Sequence, residues 1–393
     1  MRIAFYAPLK APNHPTASGD RRVARLLMDA LRLAGHTVEL VSEFRSFERN
    51  GDAQRQQALS REGASVAEAL CARWQSGPAD QRPALWFTYH LYYKAPDWIG
   101  PAVCRALGIP YVVAEGSHAA KRANGPWALG HAAVEQALRM ADLLLCPTAF
   151  DVAGLLQVVP DCGRIRRLPP FLDPTPYQRA ARKRGLWRAH LQARNGLAPE
   201  QPWLVVAAMM RPGDKLDSYR VLADALPWLL DLPWQLLVAG DGDARAEVET
   251  VLAAAAPGRV HFLGACDARA MAALYAAGDL CVWPAVNEAY GMAMLEAQAA
   301  GMPVVSCATR GVPDVVQDGV TGLLAPQIDA RALARCVRAL LVDPARREAM
   351  GVAAADFVGR ARSLQQAAQE LGRALDEVCQ WRREGAALAV PAP

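Results

Sequence analysis

The chain has 393 residues, 52% of them hydrophobic and 21% charged, with a net charge of +4. That is enough apolar material for two domains of ordinary size, and it excludes a disordered chain. The near-balanced charge carries no nucleic-acid signature, and no apolar run reaches membrane-spanning length. Nine scattered cysteines form no C-x-x-C pair. With no secretory apolar region at MRIAFYAPLK, buried free thiols in a cytoplasmic protein are expected.

In chain order, Ile3 to Ala7 reads as a strand and Pro8 to Ser18 as a long polar loop. Gly19 opens a helix to about Ala34, with Leu26, Leu27 and Leu31 on its apolar face. Thr37 to Val41 completes a βαβ unit. Gly19 can bring backbone N–H groups close to an oxyanion at the helix start. Gly-x-Gly-x-x-Gly is absent, so no dinucleotide fingerprint is present. Residues 45–82 are polar, with a helix expected at 65–75. After the strand 84–89, the run HLYYKAPDW offers His90, Tyr92, Tyr93, Lys94 and Trp98 as a grip on a polar ligand. Packing of the aromatics at a domain edge is the alternative.

The strand 111–114 leads into Glu115, Gly116, Ser117 and His118, then Lys121 and Arg122. Polar clusters at the carboxyl ends of strands lie where open α/β sheets bind ligands. His118 is a candidate to polarise a reacting hydroxyl, and Lys121 and Arg122 to meet an anionic substrate. His131, inside the helical run GHAAVEQAL, reads as structural. Strands at 141–146 and 164–168 close a first domain, 1–170.

Residues 171–200 are a break in composition, expected as a basic helix and linker. Six cations interleave with Leu186, Trp187 and Leu191. A solvated helix is favoured over one docking an anionic membrane at the inner face. The second domain, 201–360, repeats the alternation of strand and helix. Its first strand opens onto MMRPGDK, where Arg211 and Lys215 suit a diphosphate. The strand 280–283 runs into NEAYGMAMLEAQAAG, with Glu288, then Gly291 turning into a helix that carries Glu296. A carboxylate on a packed helix is costly unless paired, and the two hydroxyls of a ribose would supply partners; a neighbouring cation is the alternative. A helical region, 361–385, is expected to cross back to the first domain, with a tail at 386–393. The fold class is α/β: two Rossmann-like doubly wound domains facing across a cleft.

The stretch NEAYGMAMLEAQAAGMPVVSCATRGVPDVVQDGVTGLL resembles the retaining glycosyltransferases of family 4, which have two Rossmann domains in the GT-B arrangement. Glu288 and Glu296 match that family's two glutamates separated by seven residues. Gly311, Pro313 and Asp314 resemble its Gly-x-Pro-Glu turn, with Asp for Glu. Gly19 and His118 fit its loop glycine and active-site histidine. One departure is that Met210 stands where the family's arginine is counted, with Arg211 one place late.

The resemblance implies a hexosyltransferase that takes a nucleoside-diphosphate sugar and a saccharide, lipid-linked or small-molecule acceptor. Lys215 and Arg211 would stabilise the departing diphosphate, and Glu296 would hold the ribose. Glu288 would lie near the sugar, with Gly291 and Met292 offering backbone contacts and His118 touching the transferred sugar. No cofactor and no metal are expected, since cations can neutralise the leaving group and no His/Asp/Cys cluster shows metal-ligand spacing. The alternatives are a nucleotide-sugar epimerase or another enzyme of the same fold, and a non-catalytic binding subunit.

Overall fold

The structure is a computed structural model that describes residues 1–16 and 18–388. Residues 389–393 of the expected tail lie outside the described residues. The chain divides into two compact units, Met1–Pro169 with the segment from Leu364, and Pro170–Ser363.

The first unit is built on six parallel strands: β1 (Arg2–Tyr6), β2 (Thr37–Ser42), β3 (Leu85–Leu91), β4 (Tyr111–Gly116), β5 (Leu143–Cys146) and β6 (Ile165–Arg167). Their order is β2-β1-β3-β4-β5-β6. The central strands are continuous apolar runs because helices cover both faces; β1 and β3 are buried almost end to end. The winding reverses between β1 and β3. Asp97 fixes the turn after β3. Buried in the core, its carboxylate accepts from the Ile99 and Gly100 amides at 2.9 and 2.7 Å and from Tyr111 Oη at 3.0 Å.

One helix departs from expectation. The run expected at 65–75 is a 24-residue helix, Ala53–Ser76, capped by Asp52. Its first half, AQRQQALSREGA, buries only Gln56, Leu59 and Gly63, so it lacks the apolar stripe that marks a helix in sequence. The last helix, Leu364–Leu388, packs within the first unit. It buries Ala368, Leu371, Leu375 and Val378, and Arg382 forks onto Asp142 at 2.7 and 2.9 Å.

The second unit also has six parallel strands: β7 (Trp203–Ala207), β8 (Gln235–Ala239), β9 (Val260–Gly264), β10 (Leu280–Trp283), β11 (Val304–Cys307) and β12 (Gly322–Ala325). The order β12-β11-β10-β7-β8-β9 is the Rossmann order 3-2-1-4-5-6 read from the other edge. Here the winding reverses between β7 and β10.

Residues 171–200, expected as a basic helix and linker, hold two helices. They form the helices Thr175–Ala181 and Arg184–Asn195 inside the second unit. Arg184 and Arg188 place their guanidinium forks on the last carbonyls of the helix Ala268–Ala277: Arg184 on Ala276 O at 2.8 Å, Arg188 on Ala277 O at 2.9 Å. Both also bind Asp279, at 2.6 and 2.9 Å, and Asp279 accepts the Trp203 amide at the start of β7. Cations at a helix C-terminus satisfy orphan carbonyls, so two of the six charges serve the fold. No helix among the described residues is long and apolar enough to cross a membrane.

Candidate functional site

The reversal between β7 and β10 decides which loops meet. The loop after β7 enters the helix Asp214–Ala225, and the loop after β10 enters the helix Met292–Ala299. Lys215 sits in the first turn of the former and Glu288 in the latter loop. They form an ion pair although 73 positions apart, with side chains 26% and 19% exposed. Lys215 Nζ also lies 5.5 Å from the centre of the Trp283 ring, whose Nε1 points to Glu288 at 3.5 Å. Tyr219 meets that ring edge-on at 5.0 Å and donates to Ala208 O at 2.8 Å.

The loop between β10 and its helix is wound tightly. Ala285 and Asn287 have φ of 62° and 52°, and Gly291 has 83°. Left-handed backbone at non-glycine residues costs energy and gathers at functional sites. Hydrogen bonds hold it there. Ser218 Oγ accepts from the Val286 amide at 3.0 Å, Asn287 Nδ2 donates to Asp214 at 2.9 Å, and Arg310 donates to Asn287 Oδ1 at 2.8 Å. Arg310 itself has φ 43°. A Cβ on Gly291 would come within 2.1 Å of Met294 Cε.

The remaining predicted residues of the second unit fall around these loops. Gly291 is the N-terminal cap of the helix Met292–Ala299, with Met292 its first residue. Two helix N-termini therefore flank the Lys215–Glu288 pair, and such termini favour anions. Glu296, 6% exposed, is one turn further along. Burial, and after it the charge of Glu296, push the Cys281 thiol up to about 12. Met210 is fully buried, its amide donating to Asp241 O at 2.9 Å. Arg211 is exposed, and its carbonyl accepts the Leu216 amide. The buried Met210 side chain leaves Arg211 as the exposed cation of that loop. Gly240 and Gly242 press against the same backbone. A Cβ on either would lie 1.9 Å from Ala208 O or 2.3 Å from Met210 O.

In the first unit, Gly19 starts the helix Gly19–Leu33 with open space around its missing Cβ. Asp20 beside it meets His90 at 3.0 Å, 70 positions away, at the reversal between β1 and β3. Glu115, at the end of β4, lies 3.8 Å from the same nitrogen. His90 and Glu115 have φ of 61° and 60°. Burial works against the His90 charge, but Glu115 and Asp20 outweigh it and raise its pKa. Burial likewise opposes ionisation of Asp20, yet the His90 hydrogen bond and charge hold it below the ordinary value. Sequence reasoning listed His90 and Glu115 singly and gave Asp20 no role. The sheet order, invisible in the sequence, is the signal that joins them.

His118 follows β4 in a half-buried loop, its ring centre 5.0 Å from that of His131. Burial, then the neighbouring His131, lower its pKa. One ligating atom each from His118, His131 and Glu135 lie within 4.8 Å of one another. This grouping escapes a scan for ligand spacing, because the loop histidine and the helical one stand 13 positions apart. Of the aromatic run, Trp98 packs on Gly63 and Tyr93 meets Trp127 edge-on. Lys94 and Arg122 stack over Trp127 at 4.7 and 5.0 Å, so Arg122 is part of a cation–aromatic cluster.

Residues 201–343 match the family model described as "Glycosyl transferases group 1". The chain is 30% identical over 226 residues to the D-inositol 3-phosphate glycosyltransferase of Xylanimonas cellulosilytica, covering 56% of this chain and 53% of that protein. It is 27% identical over 220 residues to a sulfoquinovosyl transferase of Arabidopsis thaliana, covering 55% and 41%. The chain thus spans about half the length of the curated relatives it matches. Sucrose-phosphate synthase from Thermosynechococcus elongatus superposes with a TM-score of 0.72 at 21% identity, over 96% of this chain and 98% of that one. Anabaena HepE in complex with UDP gives 0.72 at 17% identity, over 96% and 100%. Those likenesses speak for the fold alone. The match to that family model thus spans residues 201–343, and the chain as a whole shares the fold of those solved structures, with two Rossmann-like units.

Proposed function

We propose that the chain is a retaining glycosyltransferase that moves a hexose-type sugar from a nucleoside-diphosphate sugar to a hydroxyl of a saccharide, lipid-linked or small-molecule acceptor. The observation that carries this reading is the Lys215–Glu288 pair at the winding reversal of the second unit, flanked by two helix N-termini inside the matched region. Lys215, with Arg211, takes the diphosphate, whose charge grows as the glycosidic bond breaks. Glu288 orients Lys215 and lies beside the sugar. Glu296 accepts the ribose hydroxyls, and the backbone at Gly291 and Met292 meets sugar or phosphate. On the first unit, the resemblance assigns the Gly19 backbone to donor binding and His118 to contact with the transferred sugar. The acceptor hydroxyl attacks from the face the diphosphate leaves, and a departing phosphate oxygen takes its proton. Charge neutralisation is assigned to the two cations, with no metal in the transfer step.

HepE has been solved with UDP-glucose, and that of Burkholderia xenovorans trehalose-phosphate synthase with glucose-6-phosphate. A uridine donor is therefore the first to try. The test is a thermal-shift panel of nucleotide sugars, followed by a product assay using the best binder with and without saccharide and lipid-linked acceptors. The proposal expects an acceptor-dependent glycoside with the donor's anomeric configuration. Epimerised sugar formed without acceptor, an inverted product, or no binding of any nucleotide sugar would overturn it.

A further inference from the structure

His118, His131 and Glu135 bring together the donor set of an open zinc site, two imidazoles and one carboxylate. His131 and Glu135 lie one turn apart on the helix Ala128–Met140, so their side chains share a face. His118 reaches them from the loop after β4. The His131 side chain is 5% exposed, and its Nε2 has no hydrogen-bond partner. It is one of several buried ring nitrogens in the chain without a protein partner, and a bound ligand would satisfy it. Glu135 divides its two oxygens. Oε1 accepts from Arg139 at 2.6 Å, and Oε2 lies 4.0 Å from His131 Nδ1, the ring nitrogen opposite the unpartnered Nε2. Arg139 thereby fixes the carboxylate from outside and leaves the inner oxygen to a ligand, as outer partners do in metal sites.

We propose that His118, His131 and Glu135 bind one divalent transition-metal ion of the zinc class, and that the ion takes His118 out of glycosyl transfer. Zinc bonds of about 2.0–2.2 Å set tetrahedral ligands roughly 3.3–3.5 Å apart. The three atoms, within 4.8 Å of one another, close to that spacing by side-chain rotation at half-buried His118 and Glu135. The metal site stands on this geometry alone. Its effect on transfer rests on the contact with the transferred sugar proposed for His118, since one imidazole cannot serve both.

The test is a titration of the full chain with cobalt(II), read by visible absorption, and with zinc(II), read by calorimetry. Nine cysteines are free, one of them exposed, so the cobalt spectrum also separates nitrogen and oxygen ligation from thiolate charge transfer. The expected result is one ion per chain and no thiolate band. Affinity should fall at least about tenfold in both His131→Gln and Glu135→Gln. Thermal unfolding of the metal-free variants guards against misfolding. A thiolate spectrum, no stoichiometric binding, or binding unchanged in both folded variants would overturn the site. In the transfer assay, one equivalent of zinc should inhibit the unsubstituted chain reversibly and spare His131→Gln. Zinc bound at the site with transfer undiminished would overturn the role given to His118 while leaving the site standing.

Discussion

Each sheet reverses its winding once, and each reversal holds a charged pair, but the polarity is exchanged. In the first unit the acid, Asp20, sits on the helix after the first strand, and its imidazole partner, His90, at the end of the strand beyond the reversal. In the second the cation, Lys215, is on that helix and the acid, Glu288, beyond it. All five non-glycine residues with positive φ among the described residues adjoin these two places: His90 and Glu115 in one, Ala285, Asn287 and Arg310 in the other. Topology makes the meeting point, and local sequence chooses its charge. The first point carries two carboxylates around one imidazole. The second has an ammonium on one carboxylate, with Arg310 tied into the same loop. The proposed function assigns the diphosphate to the second.

The largest expected effect comes from removing that furnishing. Lys215→Ala should lower turnover by roughly 100-fold or more, the scale of one preorganised donor to developing charge. Steady-state kinetics with a saturating donor would show it. Unchanged turnover would leave the polarity difference without chemical meaning. Glu296→Gln should act on binding instead. The ribose contact proposed for it would not change during reaction, so the donor affinity should fall about tenfold, with a smaller change in kcat. Loss of kcat at constant affinity would move Glu296 from ribose to reacting atoms.

How much of this was legible in the sequence depends on range. The second-unit site was readable because Glu288, Gly291 and Glu296 lie in one short run, and Lys215 follows a clear strand. The alternation of strands and helices gave two doubly wound sheets. Asp20–His90 was not readable. Its members are 70 positions apart, and what joins them is the order β2-β1-β3, which no periodicity encodes. The His118–His131–Glu135 group was hidden in the same way. The basic helix was expected, but the task of two of its charges was not readable, because a guanidinium on a helix C-terminus and one facing solvent look alike in sequence; the fold puts Arg184 and Arg188 on Ala276 and Ala277.

Smaller effects sharpen the comparison through strain and pH. Gly291→Ala should destabilise by about 1–2 kcal/mol, the cost of a left-handed side chain, plus whatever displacement of Met294 adds. Chemical denaturation would measure it, and a neutral result would mean the loop relaxes. His90→Gln should change how stability depends on pH. The His90 pKa is raised in the folded state, so its contribution is complete below the ordinary histidine value of about 6.5 and is lost as pH rises through the folded value. The Asp20 pKa is lowered, so its part is present above the ordinary aspartate value of about 3.9 and is lost as pH falls through the folded one. The Tm difference between the unsubstituted chain and His90→Gln should therefore be greatest between these values and shrink as pH rises through the folded histidine value. A difference that grows with rising pH would contradict the assigned pair.

The central claim is that the second winding reversal, and not the first, receives the nucleoside diphosphate. Calorimetric titration of uridine diphosphate into the unsubstituted chain, Lys215→Ala and His90→Gln tests it most directly. The account predicts binding to the unsubstituted chain, equal binding to His90→Gln, and affinity reduced at least about tenfold in Lys215→Ala, as for loss of a charge-assisted contact. Full affinity in Lys215→Ala, or binding abolished in a folded His90→Gln, would contradict it.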